Sequence, residues 1–218
     1  MARTFIVVDD HPLFRAALAQ VLSDTADIRQ ANDLEELIAL LEAEPDVDLV
    51  LLDLHLPRAH GFSGLLLIRG QFPHVPVLVV SATDDPLAAR RSLELGASGF
   101  FDKSAPVEDM RLAVETILAG QIWRGRGHAT ADTQATASEG FRRLRSLTPQ
   151  QVRVLMLLSA GKMNKQIGYE LGISEGTVKA HVSAILQKLD VGTRTGALLV
   201  ARALERGQLD DVSNSPSS

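Results

Sequence analysis

The first half of the chain alternates short, wholly apolar segments with stretches in which apolar residues recur at helical spacing. The apolar segments have the length and the Val, Ile and Leu content of strands that are buried on both faces. They cover residues 5–8, 49–52 and 77–80, with weaker segments at 28–31 and 99–101. The helical stretches lie at residues 13–22, 34–41, 65–68 and 107–118. This alternation predicts an α/β fold in which helices cover both faces of a parallel sheet.

Charge divides the chain into two parts. Residues 1–122 carry 19 acidic and 9 basic residues, whereas residues 123–218 carry 8 acidic and 13 basic residues. The alternation also stops near Gly120, and the stretch to about residue 140 is rich in Gly, Ala, Thr, Ser and Arg, as linkers are. We therefore predict four segments. They are an α/β domain at 1–120, a linker at 121–143, a helical domain at 144–209 and a disordered tail at 210–218.

Composition excludes several classes of protein. The chain has no cysteine, so neither a disulfide framework nor a thiolate zinc site is available. No run of about 18 uncharged apolar residues occurs, so the sequence predicts no membrane span. The acidic first part is unsuited to holding nucleic acid by its backbone, whereas the basic second part can do so.

Polar side chains stand directly after the predicted strands. Asp9 and Asp10 follow the first strand, Asp53 the third, Ser81 the fourth and Lys103 the fifth. The carboxyl ends of parallel strands border one crevice, so we expect these five residues to form what we call the acidic pocket. Three carboxylates so close together repel one another, and a divalent cation that prefers oxygen ligands, Mg²⁺ or Mn²⁺, removes that repulsion. Lys103 and Ser81 suit a tetrahedral anion beside the metal.

Asp53 is the candidate nucleophile, because it ends the most apolar strand. Attack of its carboxylate on phosphorus gives an acyl phosphate. A phosphatase of the dehalogenase type also uses such an aspartate, but it requires a second carboxylate two residues later, where this chain has His55. A dinucleotide-binding domain places a glycine-rich turn where this chain has Asp9 and Asp10. Taken alone, an aspartate at a strand end is most often an ordinary loop residue.

Residues 1–120 resemble a response-regulator receiver domain. The resemblance is carried by Val7-Val8-Asp9-Asp10-His11, Leu51-Leu52-Asp53-Leu54-His55-Leu56-Pro57, Val80-Ser81-Ala82 and Gly96-Ala97-Ser98-Gly99-Phe100-Phe101-Asp102-Lys103. It implies a flavodoxin-like sheet with strand order 2-1-3-4-5, and transfer of a phosphoryl group from a histidine kinase to Asp53. It implies that Asp10, Asp53 and the backbone carbonyl of His55 hold Mg²⁺, with Asp9 helping through water. Ser81 then contacts the phosphoryl group, and Phe100 is the switch aromatic.

The second part contains four stretches of helical periodicity, which begin near residues 149, 165, 175 and 195. The middle two, residues 165–171 and 175–189, have the lengths and the connecting turn of a helix-turn-helix. One face of the longer helix is apolar, and the other carries small residues and Lys179, which suits a DNA groove. Thr177, His181 and Lys188 line the neighbouring flank. On periodicity and charge alone, a plain four-helix domain with a hydrated polar face stays open.

Residues 147–203 resemble a LuxR-type helix-turn-helix domain, which is an all-α domain of four helices. The resemblance is carried by Leu147-Thr148-Pro149, Asn164-Lys165, Leu171-Gly172-Ile173-Ser174, Thr177-Val178-Lys179-Ala180-His181 and Lys188-Leu189. It implies that the helix from about Glu175 to Lys188 reads the major groove and that the last helix, around Gly196 to Leu204, forms dimers. The implied DNA-binding residues are Lys165, Thr177, Lys179, Ala180, His181, Ser183 and Lys188. Met163 and Gly168 stand where the family more often has Ser and Ala.

Together the two halves resemble a two-component response regulator of the NarL/FixJ type. The resemblance implies a phosphorylation-controlled transcriptional regulator rather than an enzyme, although the receiver catalyses its own phosphotransfer and dephosphorylation with Mg²⁺. The implied partners are a sensor histidine kinase, promoter DNA, RNA polymerase and, when phosphorylated or DNA-bound, a second copy of the chain. The implied location is the cytoplasm, without membrane contact. The remaining alternative is a DNA-binding protein with a vestigial receiver, and the intact set of Asp10, Asp53, Ser81 and Lys103 speaks against it.

Overall fold

The structure, a computed structural model, describes residues 3–57, 59–82, 86–125 and 139–206. It divides into two compact units, Met1–Gln134 and Ala135–Ser218, which we call the sheet unit and the helical unit. The predicted tail, residues 210–218, and residues 126–138 of the predicted linker lie outside the described residues. The exact domain limits therefore stay a prediction. Within the described ranges, no helix combines the length and the apolar character that a membrane crossing requires.

Five parallel strands form the main sheet of the sheet unit. They are β1 (Thr4–Val8), β2 (Asp27–Ala31), β3 (Leu49–Asp53), β6 (Val77–Ser81) and β7 (Gly99–Asp102), and the short strands β4 (His55–Leu56) and β5 (Ala59–His60) form a separate antiparallel pair. The order across the main sheet is β2-β1-β3-β6-β7. Counted among the five parallel strands alone, this order is 2-1-3-4-5, so the predicted flavodoxin-like topology is confirmed.

A helix follows each of the five parallel strands. The helices are α1 (Pro12–Leu22), α2 (Leu34–Ala43), α3 (Ser63–Gln71), α4 (Pro86–Glu94) and α5 (Glu108–Leu118). The apolar pattern predicts all of them except α4. The reason is that α4 buries Ala88, Arg91 and Ser92, which are small or charged residues, rather than a stripe of large apolar ones.

The main sheet is buried on both faces, as expected for a parallel sheet covered by helices. One face forms a core with α1 and α5. Its members are Phe5, Val7, Leu49, Leu51, Leu78, Val80 and Phe101 from the strands and Leu18, Leu22, Met110, Ala113, Val114 and Ile117 from the helices. The alternate residues of the same strands are equally buried, among them Ile6, Val8, Val50, Leu52, Val77 and Val79. Trp123 joins the first face and bridges to Gly99 of β7.

The helical unit contains the four predicted helices and one more. The four are α7 (Pro149–Ser159), α8 (Asn164–Leu171), α9 (Glu175–Leu189) and α10 (Arg194–Arg206), and the addition is α6 (Glu139–Arg145). Most of α6 lies inside the segment predicted to be a linker. It is ordered because Phe141 and Leu144, three residues apart on one side of the helix, are both buried, and α6 packs against α9.

Candidate functional site

The carboxyl edge of the main sheet brings the residues of the acidic pocket together. Asp53 ends β3 and Ser81 ends β6, which are neighbouring strands. Lys103 follows the end of β7, and its amide donates a hydrogen bond to the carbonyl oxygen of Ser81 at 2.9 Å. Asp9 and Asp10 follow the end of β1, which lies on the other side of β3. Strand register therefore assembles the pocket from segments that are far apart in sequence.

Lys103 joins two carboxylates of the pocket. Its Nζ lies 2.5 Å from Asp9 Oδ2 and 2.7 Å from Asp53 Oδ2, and both of these carboxylates are almost fully buried. The ammonium also lies 4.6 Å from the centre of the Phe14 ring, a cation–π distance. Burial lowers the pKa of Lys103, but the hydrogen bonds and charges of Asp53 and Asp9 outweigh burial and raise that pKa above its ordinary value. Lys103 is therefore a fixed positive charge at neutral pH.

The turns after β1 and β3 hold their carboxylates in the same way. Asp9 Oδ1 accepts a hydrogen bond from the amide of His11 at 2.8 Å, and Asp53 Oδ1 accepts one from the amide of His55 at 3.1 Å. Each is an Asx turn, in which the side-chain oxygen accepts from the backbone two residues later. The guanidinium of Arg15 also donates to the carbonyl oxygen of Asp9. The backbone of each turn thus fixes the direction of its carboxylate.

His11 joins the pocket although it is not among the predicted site residues. Its Nδ1 lies 2.6 Å from Asp10 Oδ1 and 3.1 Å from Asp9 Oδ1, and its side chain is 67 % exposed. His11 therefore lies at the rim of the pocket. The signal for it in the sequence is its position directly after the acidic pair, since it shares no helical spacing with another histidine.

The acidic pocket fits a divalent cation. Ligand atoms of Asp9, Asp10, His11 and Asp53 all lie within 4.8 Å of one another. The three carboxylates outnumber the ammonium of Lys103, which contacts two of them, and oxygen-rich sets of this kind suit Mg²⁺. The carboxylates of Asp9, Asp10 and Asp53 are the groups that could hold it. A ligand role for the His55 carbonyl stays a prediction.

The two predicted switch residues, Ser81 and Phe100, are both buried. Ser81 is 0 % exposed, and among the described residues its Oγ has no hydrogen-bond partner. A buried hydroxyl without a partner costs free energy and is uncommon in native proteins. The hydroxyl is therefore available to donate to an oxygen-bearing group beside Asp53 and Lys103. Phe100 alternates along β7 with Phe101, so the two rings lie on opposite faces of the sheet.

In the helical unit, α8 and α9 form the predicted helix-turn-helix. Ser174 caps α9, because its Oγ accepts a hydrogen bond from the amide of Thr177 at 3.0 Å. Helix α9 buries Val178, Ile185 and Leu189, and it packs against α7, α8 and α10. Five of the predicted DNA-binding residues are exposed, namely Lys165, Thr177, Lys179, Ala180 and Ser183. His181 and Lys188 are half-buried.

Two lysines of α9 already have partners within the unit. Lys179 Nζ lies 3.0 Å from Glu175 Oε1, one helical turn earlier, and both side chains are largely exposed. Lys188 Nζ donates to the carbonyl oxygen of Ser146 at 2.7 Å and to Gln151 Oε1 at 2.8 Å. Lys179 can exchange its partner for DNA at little cost, since exposed ion pairs are weak. Lys188 instead ties the end of α9 to the start of α7, so its predicted DNA contact requires those bonds to break.

Arg194, at the start of α10, is a further residue that the sequence motifs do not predict. Its guanidinium donates to Asn164 Oδ1 and to the carbonyl oxygen of Lys162. It also lines a groove beside the helix-turn-helix. The lining residues of this groove are Gly161, Met163, Asn164, Lys165, Glu175 and Arg194.

Two family profiles match the chain. The profile described as response regulator receiver domain matches residues 5–115, within the sheet unit. The profile described as bacterial regulatory proteins, luxR family, matches residues 145–201, within the helical unit. Each half of the chain thus matches a known family over most of its length.

Relatives match over nearly the whole chain. The glycerol metabolism activator of Pseudomonas putida is 39 % identical over 206 residues, which cover 90 % of this chain and 93 % of the relative. The nitrate/nitrite response regulator NarL of Escherichia coli is 31 % identical over 200 residues, covering 89 % and 92 %. The transcriptional regulatory protein DegU of Brevibacillus brevis is 32 % identical over 215 residues, covering 89 % and 90 %.

Solved structures share the fold. A structure of two RcsB dimers bound to two parallel DNAs superposes with a TM-score of 0.55, at 20 % identity, and covers 94 % of this chain and all of the RcsB chain. A LuxR family DNA-binding response regulator from Silicibacter pomeroyi superposes with a TM-score of 0.50, at 32 % identity, over 57 % of this chain and 98 % of its own. The likeness to RcsB concerns the fold alone.

Proposed function

The chain belongs to the NarL/FixJ-type response regulators, and from this premise we propose how phosphorylation controls it. Members of this family are phosphorylation-controlled transcriptional regulators that bind DNA, not enzymes in the ordinary sense. We propose that Asp53 accepts a phosphoryl group from a sensor histidine kinase. The phosphorylated chain then pairs with a second copy and binds promoter DNA through α9. The observation that carries the proposal is the position of Lys103 between Asp9 and Asp53.

Phosphoryl transfer to Asp53 requires an in-line nucleophile and neutralisation of charge on the phosphoryl oxygens. A carboxylate oxygen of Asp53 bonds to phosphorus while the P–N bond to the kinase histidine breaks, and the electron pair leaves with the imidazole. In the later hydrolysis, water bonds to phosphorus, Asp53 leaves as a carboxylate and inorganic phosphate is released. Lys103 Nζ, 2.7 Å from Asp53 Oδ2, is placed to neutralise a phosphoryl oxygen in both steps. The receiver in this proposal catalyses only these reactions on itself.

Mg²⁺, held by Asp9, Asp10 and Asp53 with the carbonyl of His55, would supply further positive charge to the phosphoryl oxygens when bound. The chain's own contribution is the placement of its donors around the new group. Ser81 donates its unpartnered hydroxyl to a phosphoryl oxygen, because burial leaves it no other acceptor among the described residues. Phe100, which is already buried, then repacks further inward behind Ser81, and this repacking changes the outer surface of the sheet unit.

In the helical unit, the exposed side of α9 enters the major groove. Lys179, Ala180 and Ser183 reach base edges there, because small side chains allow close approach and a lysine can reach a guanine edge. Lys165 and Thr177 contact phosphates, while His181 and Lys188 lie on the adjoining flank. Helix α10 pairs the two copies, and its Leu199 is 56 % exposed. The DNA-bound dimer then acts on RNA polymerase in the cytoplasm.

The phosphoacceptor role of Asp53 is tested by mass spectrometry of the full chain after incubation with acetyl phosphate and Mg²⁺. The wild type should gain about 80 Da on the peptide that contains Asp53, the mass of one phosphoryl group. Asp53→Asn should gain nothing, because an amide oxygen is a far weaker nucleophile than a carboxylate. Asp102→Asn is the matched control, since the Asp102 carboxylate accepts hydrogen bonds from the amide and the hydroxyl of Ser104 instead.

The control variant should be phosphorylated as the wild type is. The proposal is contradicted if the wild type is modified at an acid other than Asp53. It is also contradicted if the wild type, with all residues of the acidic pocket present, is not modified at all. An unmodified wild type would favour the alternative, a DNA-binding protein with a vestigial receiver.

A further inference from the structure

Arg194 holds the turn that leads from α7 into α8. Its Nη1 donates to Asn164 Oδ1 at 2.8 Å, and its Nη2 donates to the carbonyl oxygen of Lys162 at 2.5 Å. Asn164 is the first residue of α8, and Lys162 precedes it by two residues. A guanidinium is planar, so two bonds from one such group fix the orientation of both acceptors. The first residue of α10 therefore fixes the start of α8, thirty residues earlier in the chain.

Met163 and Gln166 form a capping box at the start of α8, but the acceptor that Met163 contributes to it is a poor one. Met163 stands at the N-cap, where Ser, Thr, Asp or Asn usually supply an oxygen to the first-turn amides. The thioether of Met163 is only a weak acceptor. Gln166 reaches back and accepts from the amide of Met163 at 2.8 Å, but this satisfies a donor outside the helix. Arg194 cannot accept from the first-turn amides, but its two donated hydrogen bonds hold Lys162 and Asn164, on either side of Met163, in place.

The residue that follows the fixed turn is Lys165, which is exposed. In a helix-turn-helix the first helix crosses the DNA backbone, so the start of α8 is where a phosphate is expected. Lys165 and Arg194 line the same groove. Arg194 itself is half-buried and both of its terminal nitrogens are already engaged within the unit. The two cations therefore differ in role. Lys165 is exposed and can reach DNA, whereas Arg194 holds the backbone at the start of α8, where Lys165 lies.

We propose that Arg194 is a positioning residue for DNA binding, which aims Lys165 at a phosphate without contacting DNA itself. The inference rests on the proposed phosphate contact of Lys165. Two other roles for Arg194 give different experimental results. In the first, Arg194 binds a phosphate directly, and in the second it stabilises the helical unit without any influence on Lys165.

The test measures the affinity of the full chain for a fluorescein-labelled duplex, selected from random sequence with the wild type, over a range of KCl concentrations. Lys165→Ala should weaken binding and reduce the slope of log K against log salt by about 1, as expected for one lost phosphate contact. Arg194→Ala should reduce the slope by the same amount. The double variant should bind within about twofold of Lys165→Ala alone, because residues that act through one contact are not additive. Arg145→Ala, which removes an exposed arginine from α6, should leave the slope within experimental error of the wild type.

The alternatives give different results. If Arg194 binds a phosphate itself, the two losses multiply and the slope of the double variant falls by about 2. If Arg194 only stabilises the unit, the midpoint of thermal unfolding falls while the salt slope stays at the wild-type value. Either result overturns the inference. If Lys165→Ala has no effect on the slope, the phosphate contact proposed for Lys165 is wrong, and the inference about Arg194 is overturned with it.

Two further variants test the inference, one of them even if Arg194→Ala does not fold. Asn164→Ala removes the acceptor from the other side of the contact, and it carries the same non-additivity test if Arg194→Ala does not fold. Met163→Ser supplies the missing cap oxygen, so in the Arg194→Ala background it should restore part of the lost slope. Failure of Asn164→Ala to lower the slope contradicts the inference.

Discussion

Among single residues, Lys103 determines the charge balance of the acidic pocket, because its ammonium contacts two almost fully buried carboxylates. Lys103→Ala should lower the free energy of unfolding in metal-free buffer by about 3 kcal/mol, since it leaves these buried charges unpaired. Mg²⁺ should then stabilise the variant more than the wild type. The raised pKa means that the contribution of Lys103 is complete at neutral pH and is lost only as the pH rises through that pKa. Urea unfolding with and without Mg²⁺ measures all three effects.

Arg29→Ala serves as the control for that experiment. Arg29 Nε lies 2.7 Å from Glu44 Oε1, but this pair is exposed, and exposed pairs contribute little. Its loss should change stability far less than the loss of Lys103, with no additional response to Mg²⁺. Equal effects of the two substitutions would show that Lys103 does not hold the pocket together.

For Ser81, the effect of its buried hydroxyl on stability can be measured separately from its effect on the rate of phosphorylation. Ser81→Ala should leave the free energy of unfolding unchanged or raise it by up to about 1 kcal/mol, because the hydroxyl has no partner to lose. The same substitution should slow phosphorylation by acetyl phosphate at least about tenfold, because it removes one hydrogen-bond donor to a charged phosphoryl oxygen. Ser92→Ala is the control, since Ser92 is also fully buried but its hydroxyl donates to the carbonyl oxygen of Ala88 at 2.8 Å. A Ser81→Ala protein that is phosphorylated at the wild-type rate contradicts the proposed role.

The residues at strand ends could be predicted from the sequence because each follows an apolar segment whose neighbours are set by the sheet. Contacts between distant helices could not. Lys188 reaches Gln151 across 37 positions and Arg194 reaches Asn164 across 30, and no local pattern records either pair. Gly168 shows the same limit. Its helix propensity is poor, yet a Cβ there would lie 2.7 Å from the carbonyl oxygen of Ile173, so in this chain a side chain at position 168 would force the turn after α8 to shift.

Among the elements, β7 depends on the close approach of the segment around Trp123. A Cβ on Gly99 would lie 2.8 Å from the Cβ of Trp123 and 3.1 Å from Cδ1 of Ile117. Gly99→Ala should therefore destabilise the sheet unit by about 1–3 kcal/mol, the usual cost of overpacking. Trp123 is the single tryptophan of the chain and is buried. If Gly99→Ala displaces it, its fluorescence emission in the folded variant should move to longer wavelength than in the wild type. Urea unfolding followed by tryptophan fluorescence measures both.

Ser98→Ala is a suitable comparison for Gly99→Ala. The carbonyl oxygen of Ser98 accepts from the amide of Trp123 at 3.0 Å, and the substitution leaves this bond intact. Wild-type emission and stability are expected. Gly99→Ala with the same emission and stability would mean that the Trp123 segment does not lie against β7.

Helix α9 should read bases through Lys179. Lys179→Ala should raise the Kd for a selected duplex about tenfold and change the Kd for a scrambled duplex much less, because a base contact contributes about 1–3 kcal/mol to discrimination. Arg145→Ala, at an exposed position on α6, is the control and should alter neither Kd. Fluorescence anisotropy with the two duplexes gives the ratio. Equal losses on both duplexes would assign Lys179 to the phosphate backbone instead.

Most elements could be predicted because they bury large apolar residues at a regular period. Helix α4 could not, since its buried side consists of Ala88, Arg91 and Ser92. Helix α6 could not, because its seven residues carry only two buried apolar side chains beside three arginines. The packing of α6 on α9 supplies what its own sequence lacks.

For the whole molecule, phosphorylation in the acidic half must alter DNA binding by the basic half. Residues 1–122 have ten more acidic than basic residues, whereas residues 123–218 have five more basic than acidic residues. A phosphoryl group can shift a two-state equilibrium only by as much as it stabilises one state over the other. A shift from 1:99 to 99:1 requires about 5.5 kcal/mol, and a tenfold shift requires about 1.4 kcal/mol. The proposed contacts of the phosphoryl group with Lys103 and Ser81 would supply enough free energy for the smaller shift.

The most direct test is the affinity of the full chain for its selected duplex, measured by anisotropy with and without acetyl phosphate and Mg²⁺. For the wild type, the donor should lower the Kd by about tenfold or more. For Asp53→Asn, the donor should change nothing, while binding to the duplex itself persists. Wild type and Asp53→Asn with the same Kd, and the same response to the donor, would contradict control of DNA binding through Asp53.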